Sequence, residues 1–258
     1  MIVDAHTHIQ VGSGEESSYS PWGMKLEGVT EYLENFKQNR IDACFVFGRD
    51  VFRDSSLIPA TNDGLAKLKQ DYPERLFPFG TVNPNWPEKR LKEEIRRIAL
   101  DLKLYGIKLV PLLQGFPISS TGMDILAREA GQLGLPVFFH DGSPEYCSAV
   151  QVIAYARMYP QVHVISGHGG LREQWPEFIP AARSLQNLWI CLMGPTQWGM
   201  QQLYDHLGAE KLMFGSDGGL GHPAIIRTYL KRIERLRAPE SDKRLILGEN
   251  AWRFLHSC

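Results

Sequence analysis

The chain lacks several features that would mark large classes of protein. It has four cysteines, Cys44, Cys147, Cys191 and Cys258, and none of them forms a Cys-x-x-Cys pair. A disulfide scaffold or a cysteine zinc module is therefore not expected. Cys44 and Cys191 lie inside apolar, strand-like runs, where a thiol packs as a small hydrophobe, and a reducing cytoplasm is the expected setting. There is no run of about 18 apolar residues, so no membrane span is expected. The N-terminus has no basic segment leading into an apolar one, so no secretory signal is expected either. Charge of either sign is not in excess: 28 Lys and Arg face 29 Asp and Glu, for a formal net charge of -1. With no long basic run, nucleic acid and anionic membranes are not expected partners.

A length of 258 residues suits one (β/α)8 barrel, although two smaller domains would also fit. The pattern along the chain decides. Short β-rich apolar runs at 43–47, 76–82, 106–111, 136–140, 163–166, 188–193 and 212–216 alternate with amphipathic stretches of helical length. An eighth run begins at Ile2-Val3. Helices are expected at about 25–39, 60–71, 87–102, 121–133, 145–158, 175–185, 198–207 and 224–236, with an extra one near 248–256. Residues 11–23, ending in Pro21-Trp22-Gly23, are expected to form a long loop. Strand–helix alternation implies βαβ units and a parallel sheet. An open doubly wound sheet would usually carry a Gly-rich phosphate turn after its first strand. This chain has Asp4-Ala5-His6-Thr7-His8 there instead, which favours a single closed barrel over residues 1–258.

His6 and His8 are two residues apart, so on a strand their side chains leave the same face. Two convergent imidazoles make a half-site for a transition metal, with zinc the first expectation. Other polar residues fall at corresponding places. Lys108 lies late in the fourth run, His140 ends the fifth, and His168 and Asp217 follow the sixth and eighth. In a parallel barrel these C-terminal strand ends share one face, the face on which barrel enzymes carry their active sites. Closure also makes the eighth strand the neighbour of the first, which brings Asp217 beside His6 and His8.

The segments Val3-Asp4-Ala5-His6-Thr7-His8, Gly106-Ile107-Lys108-Leu109, Phe139-His140-Asp141-Gly142, Gly167-His168-Gly169-Gly170, Phe214-Gly215-Ser216-Asp217 and Ile246-Leu247-Gly248-Glu249-Asn250-Ala251 together resemble the amidohydrolase superfamily. The branch they look most like contains aminocarboxymuconate-semialdehyde decarboxylase, resorcylate decarboxylases and pyrone-dicarboxylate lactonase. The resemblance implies a distorted (β/α)8 TIM barrel with an extra C-terminal helix. It also implies that His6, His8, His140 and Asp217 hold one divalent cation, Zn2+ or Mn2+. Other branches bridge two metals with a carboxylated strand-four lysine, and Lys108 leaves that arrangement open. Asp217 would then be ligand and proton carrier together, with His168 polarising the substrate carbonyl.

Arg49 and Arg172 can clamp carboxylates or form ordinary ion pairs, and an unmodified Lys108 can also bind a carboxylate. Trp22 and Trp198 stand in top-face loops as pocket walls or plain packing residues. The C-terminal Gly248-Glu249-Asn250-Ala251 is expected to dock the last helix.

The expected activity is metal-dependent hydrolysis of a small, carboxylate-bearing ester, lactone or amide. Non-oxidative decarboxylation of an aromatic or unsaturated acid is the alternative, and a non-catalytic ligand-binding barrel a minor one. The compactness of the chain favours hydrolysis over decarboxylation. Small-molecule binding is expected, and homo-oligomerisation is left open.

Overall fold

The computed structural model describes residues 1–11, 28–220, 222 and 224–257. Most of the loop expected at 11–23, including Trp22, lies outside these residues. Among the described residues eight strands occur in order: β1 (Val3–Ile9), β2 (Ala43–Gly48), β3 (Leu76–Phe79), β4 (Ile107–Leu109), β5 (Val137–Phe139), β6 (Val164–Ser166), β7 (Leu188–Cys191) and β8 (Leu212–Met213). The helices between them are α1 (Val29–Gln38), α2 (Ile58–Asp71), α3 (Glu88–Arg96), α4 (Pro111–Gln114), α5 (Thr121–Gln132), α6 (Ala149–Met158), α7 (Phe178–Ala182), α8 (Gln197–Leu207) and α9 (Ala224–Glu234). The chain then ends in α10 (Glu240–Arg244) and α11 (Asn250–Ser257).

All strand pairs are parallel and follow sequence order, β1-β2-β3 in one ladder and β4 to β8 in another. Two seams join the ladders. At the first, the Gly80 N–H donates to Gly106 O at 2.9 Å and the Lys108 N–H to Gly80 O at 2.8 Å. At the second, the Ala5 N–H donates to Phe214 O at 2.9 Å and the His8 N–H to Gly218 O at 2.7 Å. The eight strands therefore form a closed ring, which accounts for their burial along almost their whole length: every strand has one face on the lumen and one on the helices.

The lumen is packed solid with Val3, Ala5, Phe45, Phe79, Phe138, Ile165, Cys191 and Met213, as befits a barrel core that is not a pore. A second layer, including Val46, Leu65, Ile95, Leu126, Val152 and Leu203, fills the space between strands and helices. The C-terminal helix closes the bottom of the ring. Phe254 of α11 is buried, and its ring lies 5.3 Å from that of Trp189 and 6.3 Å from that of Phe45. Burying one such aromatic contributes roughly 1.5–3 kcal/mol. Asn250 anchors the same helix by donating to Ala209 O at 2.7 Å and Leu212 O at 2.8 Å. The Gly248-Glu249-Asn250-Ala251 stretch thus docks the helix, as expected.

Where element bounds depart from the pattern, local geometry gives the reason. The last helical run starts at Glu240 rather than near 248, passing through a widened turn at Leu245–Glu249. Gly248 lies inside this run because a Cβ there would come within 2.7 Å of Met1 O and 2.9 Å of Val3 N. The expected helix at 145–158 begins only at Ala149, where Ser148 and Gln151 form a reciprocal cap. Pro111 opens the short α4 instead of ending β4, since proline suits a first helical turn.

Asn187 is a second buried peg, with its amide donating to Ala156 O, Tyr159 O and Val162 O at 2.8–3.2 Å. Asn187→Ala removes these three bonds and is expected to cost about 1–3 kcal/mol. Urea unfolding should show this as a lower midpoint at unchanged slope.

Candidate metal centre

β1 is buried along its whole length, and both of its histidines point into the mouth of the barrel. Their ring centroids are 5.2 Å apart. Asp217, beyond the end of β8, completes the group: its Oδ1 is 2.9 Å from His8 Nε2 and 3.3 Å from His6 Nε2. One ligand atom from each of the three lies within 4.8 Å of those of the other two. His8 Nε2 and Asp217 Oδ1 are buried without an aligned hydrogen bond. Buried polar atoms almost always find a partner. Three donors converging on one small volume instead of bonding to each other fit a divalent cation.

The ring of His6 is fixed from outside that volume, because its Nδ1 donates to Gly167 O at 2.8 Å. Its Nε2 is thereby left as the inward-facing lone pair. Thr7, between the two histidines, donates to Phe45 O at 2.5 Å and accepts from the Tyr32 hydroxyl. That pair ties β1 to β2 and α1. Beyond Asp217, Gly219 has φ 84°, and a Cβ there would fall 1.7 Å from His8 O. Only glycine permits this turn to lie against β1.

His140 and His168 form a pair of their own, with Nδ1 of the first 2.8 Å from Nε2 of the second. The His168 ring centroid is 4.8 Å from that of His6, so the pair adjoins the three-donor cluster. Lys108 is fully buried in the lumen, its Nζ 3.4 Å from His6 Nε2 and over the faces of Phe138 (4.3 Å) and Phe47 (4.8 Å). Arg49 is buried on the segment after β2, and its charge acts on His8, Lys108 and His140.

Burial dominates the electrostatics. It pushes the Lys108 amine down to about 7, with Asp217 opposing and Arg49 assisting that fall. It also lowers His8 to about 4 and His140 to about 3, with His6 and His168 well below the usual imidazole range. The four imidazoles are therefore held neutral, the form that binds metal. For Asp217 burial acts upward, but the neighbouring His6, His8 and His168 outweigh it and hold the carboxyl well below its usual range.

Residues 3–256 match the family model described as amidohydrolase. The chain belongs to the amidohydrolase family. It is thus a member of a family of enzymes that are generally metal-dependent. Among solved structures, an amidohydrolase II aligns at 16% identity over 99% of this chain and 100% of that one, with a TM-score of 0.80. The 5-carboxyvanillate decarboxylase of Sphingomonas paucimobilis aligns at 15% identity over 99% of both chains, with a TM-score of 0.73. A probable 2-pyrone-4,6-dicarboxylic acid hydrolase of Acinetobacter baumannii, solved with citric acid bound, aligns at 17% over 99% of both chains, with a TM-score of 0.74. These likenesses show the barrel fold. No curated protein sequence matches the chain.

Of the residues singled out in sequence, the structure gathers His6, His8 and Asp217 most tightly, with His140, His168, Lys108 and Arg49 around them. Two others lie elsewhere. Trp198 is 65% exposed at the start of α8, packed edge-on against Trp175 at 5.1 Å. Arg172 is exposed and lines a separate cavity of about 310 Å³ with Gly142, Pro144, Gly170 and Leu171. His163 lies at the start of β6 with its ring on Phe254, at the opposite end of the barrel. His222 is exposed, and its Nδ1 accepts the Ala224 N–H at the head of α9.

Sequence reasoning gave no role to Asp4, Asp141, Ser166 or Ser216, all buried beneath the site. Asp4 and Asp141 lie within the quoted motifs, but carboxylates that accept backbone N–H groups have no spacing signature.

His8→Ala should lower metal content below that of the unaltered protein by elemental analysis. Gly219→Ala should do so too, by displacing the backbone of His8, and should also lower the melting temperature.

Proposed function

We propose that this chain is a metal-dependent hydrolase of a small ester, lactone or amide that carries a carboxylate. The convergence of His6 Nε2, His8 Nε2 and Asp217 Oδ1 on one volume supports this above all. These three residues would hold the cation, with His140 as the proposed fourth ligand and Zn2+ preferred to Mn2+ for a site rich in imidazole. When bound, a divalent cation supplies Lewis-acid polarisation and makes water a stronger acid. The direct bond between His140 and His168 engages one nitrogen of each. A single ion is favoured over a two-metal site, in which both histidines and a carboxylated Lys108 would be ligands, because among the described residues one cluster, His6, His8 and Asp217, brings three ligand atoms together.

The side chains then divide the chemistry. Asp217 is a carboxylate at neutral pH and accepts the proton of the attacking water, later delivering it to the leaving group. His168 donates towards oxygen that gains negative charge. Arg49 and Lys108 place two basic groups near Asp217 at the barrel mouth, and such groups suit an anionic substrate. The proposal carries with it a small-molecule substrate, no nucleic-acid partner and a cytoplasmic location. Among the described residues no helix is long and apolar enough to cross a membrane.

The same site supports a second reading, non-oxidative decarboxylation. The likeness to 5-carboxyvanillate decarboxylase, which runs over 99% of both chains, favours it. Hydrolysis is placed first because its opening step needs a base, which Asp217 supplies, whereas protonating a carbanion needs an acid.

Zn2+-loaded protein offered lactones, esters and amides with a carboxylate should release product without CO₂. CO₂ evolved from a hydroxybenzoate or muconate-type acid, with no hydrolysis, would establish the second reading instead. Asp217→Asn should lower turnover by about 10²–10⁴-fold with the fold intact by circular dichroism, and near-normal turnover would remove it from the mechanism.

A further inference from the structure

Asp217 lies in a strained loop. Its φ is 56°, a left-handed conformation that a non-glycine residue keeps only when its surroundings impose it. What imposes it is buried one layer below. Asp4 is fully buried, and its Oδ1 accepts the N–H of His6 at 3.1 Å and of Ser216 at 3.0 Å. Its Oδ2 accepts the Ser216 hydroxyl at 2.5 Å, and that hydroxyl oxygen accepts the N–H of Gly218 at 3.0 Å. The residues on both sides of Asp217 are thus held by Asp4, one directly and one through Ser216. The same carboxylate holds the backbone of His6.

Holding the strands together does not require this device. The β8–β1 seam already has the Ala5-to-Phe214 and His8-to-Gly218 backbone bonds, and burying a carboxylate is costly unless its lone pairs are all used. The device also recurs at the β5–β6 seam. There Asp141 accepts the Ser166 hydroxyl at 2.9 Å and the N–H groups of His168 and Gly170 at 2.8 and 2.7 Å. Both copies bracket a residue of the site, Asp217 in one and His168 in the other.

We propose that Asp4, acting through Ser216, is the positioning residue of the cation site: it sets the left-handed turn that lets Asp217 share an ion with His6 and His8. This rests on reading His6, His8 and Asp217 as that site.

The test titrates Co2+ into metal-free protein and follows the visible absorption bands, which report the number and geometry of the ligands. Ser216→Ala keeps both N–H bonds to Oδ1 but breaks the link to Gly218. It should weaken Co2+ binding about tenfold or more and change the band shape. Asp4→Asn retains the same Oδ1 acceptor but turns an NH₂ towards the Ser216 hydroxyl, and it should fall between Ser216→Ala and the unaltered protein. Asn187→Ala, far from the site, should lower the melting temperature while leaving Co2+ affinity and spectrum unchanged. That control separates positioning from general destabilisation. Unaltered affinity and spectrum in both Ser216→Ala and Asp4→Asn would overturn the proposal. If the unaltered protein takes up no Co2+, the cation site falls, and this inference with it.

Discussion

Closure of the barrel between β8 and β1 is the constraint on which the site depends. The bonds from Ala5 to Phe214 and from His8 to Gly218 join strands more than 200 residues apart along the chain. Without them Asp217 would have no reason to lie near His6 or His8. The ring forms because most strands are apolar on both faces, so a sheet with open edges would leave apolar surface in water. Phe254 completes the enclosure from below by filling the bottom of the lumen.

On this frame the polar groups are arranged at high energetic cost. Four imidazoles, a lysine and several carboxylates are buried within or beneath the barrel mouth. Burial pushes Asp4 up to about 7 and raises Asp141 as well. A protein uncommitted to chemistry would replace such groups with hydrocarbon at little loss. Here Asp4 and Asp141 each accept several N–H or O–H groups from loops that carry site residues, which offsets desolvation and fixes geometry together. Rigidity beneath the site matters because a metal tolerates only small errors in ligand position.

The order of strands and helices could be read directly from the sequence, because the periods of apolar residues differ between the two. Boundaries were harder where one residue has two meanings. Pro111 suits both the end of a strand and the start of a helix, and a glycine such as Gly248 often marks a helix end. In this one Gly248 lies mid-run, where Met1 and Val3 approach too closely for a side chain. Arg172 and Trp198 showed a different limit: a loop's place after a strand says which face it is on, but not where its side chains go. Leu171, with φ 53°, precedes Arg172 on a turn that no periodicity announces.

By itself the sequence determined the barrel, the His-x-His pair and the common face of His140, His168 and Asp217, since these follow from local patterning and from the rule that parallel strands end together. Only the tertiary structure decided that His6, His8 and Asp217 converge most closely, that His140 bonds to His168, and that Lys108 projects into the lumen beside His6. It alone revealed Asp4 and Asp141 as the anchors beneath. The reason is physical: strand and helix are set by neighbours a few residues away, whereas a shared ligand volume is set by contacts across the ring between segments with no sequence relation to one another.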